Sequence, residues 1–173
     1  TLIAGKRILV TGAGGSIGSQ LVKLIAGFGP AHLCLVENGE FNLWKIEQDL
    51  KALFPDVTCT PRLTDIRDAN RLRQVFAESR PDLVFHAAAL KHVPIVEANL
   101  GEGVMTNIIG TRNVADASLE AGVQAMVQVS TDKAVMPASA VGATKRVAEI
   151  YCQSLDLGQT GPRFMTVRFG NVL

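Results

Sequence analysis

Two kinds of hydrophobic pattern take turns along this chain. Short, nearly unbroken apolar runs rich in Val, Ile and Leu predict buried strands, and stretches with apolar residues every three or four positions predict helices that pack one face on a core. The first kind occurs at Arg7-Ile8-Leu9-Val10, His32-Leu33-Cys34-Leu35-Val36 and, weakly, Val57-Thr58-Cys59-Thr60. It recurs over Pro81 to His86 with Ala87, Ala88 and Ala89 behind it, over Ala125 to Ser130, and over Phe164 to Phe169. Helical spacing occupies Leu21 to Ile25, the stretch Phe41 to Phe54, residues 69–79 behind Asp68 as N-cap, a long segment reaching about Leu119 and closed by Gly122, and Gly142 to Leu155. In Phe41 to Phe54 the apolar positions 41, 43, 44, 46, 50, 53 and 54 fall close to one helical face. Strand and helix alternate throughout, which argues an α/β fold with a parallel, doubly wound sheet of about six strands. No internal repeat or low-complexity linker interrupts it.

Composition narrows the class. The 173 residues are 47% hydrophobic, 19% charged and 5% aromatic, the profile of a single α/β domain with a substantial core. A net charge of +1 without a Lys/Arg cluster argues against nucleic acid as a partner. Cys34, Cys59 and Cys152 are scattered and lack metal-ligand spacing, so neither a disulfide framework nor a zinc site is expected, and a reducing cytoplasm fits best. No apolar run approaches the ~18 residues of a membrane span, and no signal-peptide pattern opens the chain. Starting at Thr1 and stopping at Leu173 within an expected strand, the sequence reads as an excised piece of a longer protein.

The densest chemical signal is Thr11-Gly12-Ala13-Gly14-Gly15-Ser16-Ile17-Gly18, between the first strand and first helix. Gly12 lets the chain leave the strand tightly, Gly15 removes a Cβ that would hold a pyrophosphate off the backbone, and Gly18 lets helix and sheet approach. The free N–H groups of the helix's first turn then face the phosphates. The alternative is a loop that merely connects strand to helix. Glu37 ends the second strand, 19 residues past Gly18, where a carboxylate accepts hydrogen bonds from ribose hydroxyls and repels a 2′-phosphate, so NAD is favoured over NADP. Its other reading is a solvated acid that opens the next helix. His86 is either a satisfied strand-end histidine or a functional one.

With Thr11-Gly12 before it, the G-x-x-G-x-x-G spacing resembles the short-chain dehydrogenase/reductase superfamily, which implies a Rossmann-type fold with a nicotinamide cofactor over the turn. By that resemblance Gly12, Gly15, Ser16, Ile17, Gly18, Glu37, Asp65, Ile66, Ala87, Ala88, Ala89 and Lys145 would bind the cofactor, and Asn107 would brace the fourth strand. The superfamily places a Ser or Thr at the end of the fifth strand and a Tyr-x-x-x-Lys pair on the next helix. Lys145 fits the Lys, but Val141 stands where the Tyr belongs, and valine transfers no proton. Ser130-Thr131-Asp132-Lys133-Ala134-Val135 through Gly142-Ala143-Thr144-Lys145-Arg146, His86 through Pro94, and Arg168 through Leu173 resemble the polysaccharide-biosynthesis branch, the UDP-N-acetylglucosamine 4,6-dehydratases. The long, membrane-tethered members, which carry Met in place of the Tyr, are the most similar.

That resemblance implies an internal redox reaction on a UDP-sugar, UDP-N-acetylglucosamine. Hydride leaves sugar C4 for NAD, water is lost across C5 and C6, and hydride returns to C6. Asp132 would protonate the leaving C6 hydroxyl, Lys133 would act at C5, Thr131 would hydrogen-bond the C4 oxygen and Lys145 would help take the C4 hydroxyl proton. Lys91, His92 and Asn171 would line the sugar pocket, while the substrate-binding lobe would follow the sixth strand. The full-length protein would be a homo-oligomer on the cytoplasmic side, tethered to the inner membrane by a preceding region. Within the enzymes, the rival reading is a nucleotide-sugar 4-epimerase. Outside them it is a silent dinucleotide-binding module, or Asp132-Lys133 as an idle surface ion pair.

Overall fold

A computed structural model describes residues 2–158 and 160–170 and realises the alternation as one six-stranded parallel sheet in the order β3-β2-β1-β4-β5-β6. Its strands are β1 (Arg7–Thr11), β2 (His32–Glu37), β3 (Cys59–Leu63), β4 (Leu83–His86), β5 (Ala125–Thr131) and β6 (Arg163–Phe169). Helices α1 (Ser16–Ala26) and α2 (Glu40–Leu53) cover one face, and α3 (Ala69–Ser79), α6 (Thr111–Glu120) and α7 (Ala140–Gly158) the other.

The unbroken apolar strands follow from that sandwich, because each strand is buried on both sides. In β1, Ile8 and Val10 join Val22, Ile25, Ile46 and Leu50 in one core, while Leu9 joins Leu72, Val75, Val114 and Cys152 in the other. β1 pairs with β2 and β4, placing Leu9 between Cys34 and Val84. The strand order reverses at the β1/β4 boundary, where an open parallel sheet leaves a crevice beyond its carboxyl ends.

Several local expectations hold. Asp68 caps α3 by accepting from the Arg71 N–H at 2.9 Å, and Gly122 sits at φ +64° just beyond α6. Two are corrected. The third strand runs over Cys59–Leu63 instead of 57–60, continuing through Pro61, which an edge strand tolerates because only one side needs a ladder. On α2, Phe41, Trp44 and Leu53 are exposed and only Leu43, Ile46 and Leu50 reach the core, so the apolar face is narrower than the spacing suggests. The helix expected to reach about Leu119 is α6, and three short segments not foreseen precede it. A short α4 (Val93–Ala98) and α5 (Leu100–Gly103) lead into a π-helical segment, Val104–Gly110, and only then α6. The π segment turns Asn107 fully inward.

Candidate functional site

The glycine turn occupies the crevice. Gly12 has φ +65°, and a Cβ there would lie 2.6 Å from the Ala88 nitrogen, so only glycine lets β1 turn beneath the segment that follows β4. A Cβ on Gly18 would overlap the Gly12 carbonyl oxygen, which fixes α1 against the turn. Gly15 is the N-cap of α1 and no side chain caps it, leaving first-turn N–H groups directed at the cleft.

Two cavities meet over this turn and share Gly15, Ala87 and Ala89. The smaller, about 250 Å³, lies on the β2/β3 side and is bounded by Glu37, Thr64, Asp65 and Arg67. The larger, about 870 Å³, lies on the β4/β5 side and takes in Ser16, Lys91, Thr131, Lys133 and Lys145. Together they form a bent trough across the switch point.

On the β2/β3 side, Glu37 is 8% exposed and its carboxylate accepts from the N–H groups of Gly14, Asn38 and Gly39, each at 3.0 Å. It is thus not a solvated helix opener. Three donors fill most of a carboxylate's roughly four acceptor positions and leave room for one hydroxyl. Asp65 reaches the same cavity, but the Arg67 guanidinium grips its carboxylate at 2.7 to 3.1 Å and also bonds Glu102 at 2.7 Å. The grip holds Asp65 below the usual carboxylate range. Ile66 turns its side chain under Gly110, and Asn113 ties down its carbonyl at 3.0 Å. Thr64 is buried, and among the described residues its hydroxyl has no partner, so an acceptor or donor entering this cavity would meet an unsatisfied group.

Asn107 braces the wall between the two cavities. Its side-chain amide exchanges hydrogen bonds with the Leu90 backbone at 2.9 and 3.0 Å and donates to the Thr144 hydroxyl at 3.1 Å. His86 is fully buried, with Nδ1 2.6 Å from the Thr11 hydroxyl and Nε2 2.9 Å from that of Thr111. Burial first, then the nearby Lys145 charge, pushes its pKa down to about 3. It is therefore the satisfied, neutral histidine.

On the β4/β5 side, two neighbouring residues with hydroxyls border the cleft and bond different partners. Ser130 is buried and donates to Glu149 at 2.6 Å, while Thr131 donates to Asp132 at 3.0 Å and accepts from the Lys133 N–H at 3.3 Å. Asp132 is exposed and is not among the cleft-lining residues. Its carboxylate lies 3.8 Å from where a Cβ on Gly170 would sit, and the Thr131 hydrogen bond holds its pKa down. Lys133 lines the cleft with Nζ 3.6 Å from that carboxylate. Lys145 is buried on α7, donates to the Val129 carbonyl at 2.8 Å, and is lowered by burial to about 8. Val141 is 2% exposed and faces the same cleft, while the single tyrosine, Tyr151, bonds Asp116 at 2.5 Å on another part of α7. No phenol therefore substitutes at position 141.

Lys91 reaches back across the turn, its Nζ 2.6 Å from the Ser16 hydroxyl, and His92 opens α4. Asn171 lies outside the described residues. Reading the sequence alone passes over Thr64, Arg67, Gly142 and Glu149. A Cβ on Gly142 would overlap the Lys133 carbonyl oxygen, so α7 and the Thr131–Lys133 turn are pressed together at that point. Adjacency of Gly142 to Val141 was the one local signal.

This sheet order, with a glycine turn at the switch point and a buried lysine on the helix after β5, defines a Rossmann-type domain of the extended short-chain dehydrogenase/reductase class. The chain belongs to the family described as polysaccharide biosynthesis protein, which it matches over residues 8–173. It is 43% identical over 172 residues to the capsular polysaccharide biosynthesis protein CapD of Staphylococcus aureus, covering 99% of this chain and 29% of that one. It is 35% identical over 172 residues to a UDP-N-acetylglucosamine 4,6-dehydratase (inverting) of Campylobacter jejuni, covering 98% and 50%. The solved structure of Pen from Bacillus thuringiensis superposes with a TM-score of 0.91 at 32% identity, over 100% of this chain and 52% of that one. The chain thus spans half or less of the length of the curated relatives described.

Proposed function

We propose that this chain is the cofactor-binding part of a nucleotide-sugar 4,6-dehydratase acting on UDP-N-acetylglucosamine. The observation that carries the reading is the Thr131–Asp132–Lys133 turn at the carboxyl end of β5, set beside buried Lys145 in the cavity that opens onto the glycine turn. The runner-up is a domain that binds cofactor without chemistry, favoured by Val141.

The trough fits an extended dinucleotide. Gly15 and the first turn of α1 would take the diphosphate, Glu37 and the Thr64–Ile66 segment the adenosine end, and Lys145 the nicotinamide end. The charge of Glu37 and its single remaining acceptor position favour a ribose hydroxyl over a phosphate, hence NAD over NADP. When bound, NAD supplies the hydride acceptor at sugar C4 and the donor at C6.

The protein's part is proton handling and alignment. Thr131 presents its hydroxyl to the C4 oxygen, and Lys145, already half deprotonated near pH 8, accepts the proton released there. Asp132 donates to the departing C6 hydroxyl and Lys133 removes the C5 proton, for which the proton of the resting ion pair must first pass from the Lys133 ammonium to the Asp132 carboxylate; the two transfers then restore the ion pair. In the resting structure Asp132 sits at the rim, so sugar docking must draw it toward the cleft. Lys91 and His92 border the sugar, and Asn171 would follow from β6. The whole protein is proposed to be a homo-oligomer held at the cytoplasmic face of the membrane. No helix among the described residues is long and apolar enough to cross one.

The deciding experiment incubates a C-terminally longer form of the protein with UDP-N-acetylglucosamine and catalytic NAD and follows mass. Loss of one water that disappears in Asp132→Asn and Lys133→Ala is the expected result. An unchanged mass with an inverted C4 would identify an epimerase, and bound NAD without turnover the silent module.

A further inference from the structure

Glu149 takes no step in the reaction proposed above, yet its carboxylate accepts four hydrogen bonds beside the larger cavity. It lies one helical turn beyond Lys145 and is 1% exposed. Its Oε1 accepts from the Ser130 hydroxyl at 2.6 Å and from Arg168 Nε at 2.9 Å, and its Oε2 from Arg168 Nη2 at 2.6 Å and Arg146 Nη1 at 3.1 Å. Those donors come from the end of β5, from β6 and from α7 itself.

Their positions matter because Ser130 pairs with Arg168 in the last part of the β5/β6 ladder, and Thr131 with Phe169. Just past these rungs the two strands deliver Thr131 and Lys133 on one side and Gly170 on the other to the same cavity. Ser130 and Thr131 both border that cavity, and Glu149 holds the Ser130 hydroxyl, so the strand end that carries Thr131 is fixed through its neighbour. The charge matters too. Arg146 and Arg168 put two cations against α7 near Lys145, and one buried carboxylate offsets them.

We propose that Glu149 is a positioning residue: its carboxylate locks the ends of β5 and β6 to α7, holds Thr131 in place at the cleft, and supplies the negative field that stabilises the ammonium Lys145 becomes on accepting the proton. This rests on the reading that Thr131 and Lys145 serve the reaction. If Glu149 served packing alone, an uncharged side chain of the same shape would replace it without changing Lys145.

The groups that face Lys145 are His86 from β4, Glu149 and Cys152 from α7, and Arg168 from β6 through Glu149. Burial raises the Cys152 thiol to about 12 and lowers His86 to about 3, so both are neutral near pH 8 and Glu149 is the group whose charge opposes desolvation of the ammonium. The test follows the Lys145 Cε resonance against pH in this chain, with carbon-13 lysine and assignment by Lys145→Arg. Glu149→Gln keeps size and shape and removes the charge, so the Lys145 midpoint should fall by about one unit. Arg168→Gln removes a cation instead, so the midpoint should rise, and this second variant decides the matter if the first does not fold. Midpoints that stay at the wild-type value would overturn the proposal.

In the longer form, Glu149→Gln should lower kcat for water loss about tenfold while KM for the sugar nucleotide stays within about threefold. Equal kcat for variant and wild type would also overturn it. If the wild type releases no water, the functional reading fails, and the Lys145 titration still decides the role of Glu149.

Discussion

His86 shows how one residue couples the fold to pH. Both ring nitrogens are held by buried threonine hydroxyls, and the folded protein keeps the ring neutral down to about pH 3, against an ordinary value of 6.5. Below pH 6.5 the unfolded chain takes up a proton that the folded one refuses, so this contribution is present above 6.5 and is lost progressively as pH falls toward 3. Between pH 7 and pH 5 that linkage removes about 2 kcal/mol from unfolding free energy. Urea titrations at both values should show the drop, and a His86→Gln protein should show a clearly smaller one. At Glu37 the expectation is selectivity. Titration calorimetry should find NAD bound about tenfold or more tightly than NADP, and equal affinities would remove Glu37 as the discriminator. The chain spells out Gly12, Gly15, Gly18, Glu37 and the Thr131–Lys133 run locally, and all of these but Asp132, which stays at the rim, line the trough. Glu149, Arg168 and Arg67 act through partners that the fold brings from far along the chain, as with Arg67 and Glu102, and no local spacing announces them.

Among the elements, α7 carries the most consequence. Its first turn is pressed on the Lys133 carbonyl through Gly142, its second carries Lys145, and its third holds Glu149. On an exposed helix Gly→Ala would stabilise by about 1 kcal/mol. Gly142→Ala should do the reverse, because backbone must move to admit the methyl group. Stopped-flow measurements on the longer form should show dehydration slowed at least about tenfold while NAD binding, seated mainly on β1 and α1, changes less than about threefold. The π-helical segment supplies a second case. Asn107→Ala would strand the Leu90 backbone groups, costing about 1 to 3 kcal/mol in thermal or chemical unfolding, with weaker NAD binding as the Ala87–Leu90 wall loosens. Strands and principal helices were legible because their periodicity is set by burial on both sheet faces. The π turn was not, since one extra residue per turn leaves no mark in apolar spacing, and the β3 shift turned on an edge position that no single strand's sequence reveals.

At the scale of the whole molecule, exposed apolar residues occur on both faces, and on the α5–α7 side Leu100, Val104, Val147 and Ile150 are each more than two-fifths exposed. Light scattering should find the full-length protein above monomer mass, and Val147→Asp with Ile150→Asp should return it to monomer without loss of helix signal. The sheet order has a temporal meaning as well. β1 neighbours β4 across some 75 positions, with Ile8 beside Leu83, so the central rung of the sheet waits for that whole intervening stretch to be made. During synthesis β1, β2 and β3 can collapse with α1 and α2 into a half-sheet that already holds Glu37, while Gly12 still lacks the Ala88 backbone it must abut. The β2/β3 end of the trough is thus the older part of every newly made molecule, and the β4/β5 end is completed only once β5 and β6 leave the ribosome.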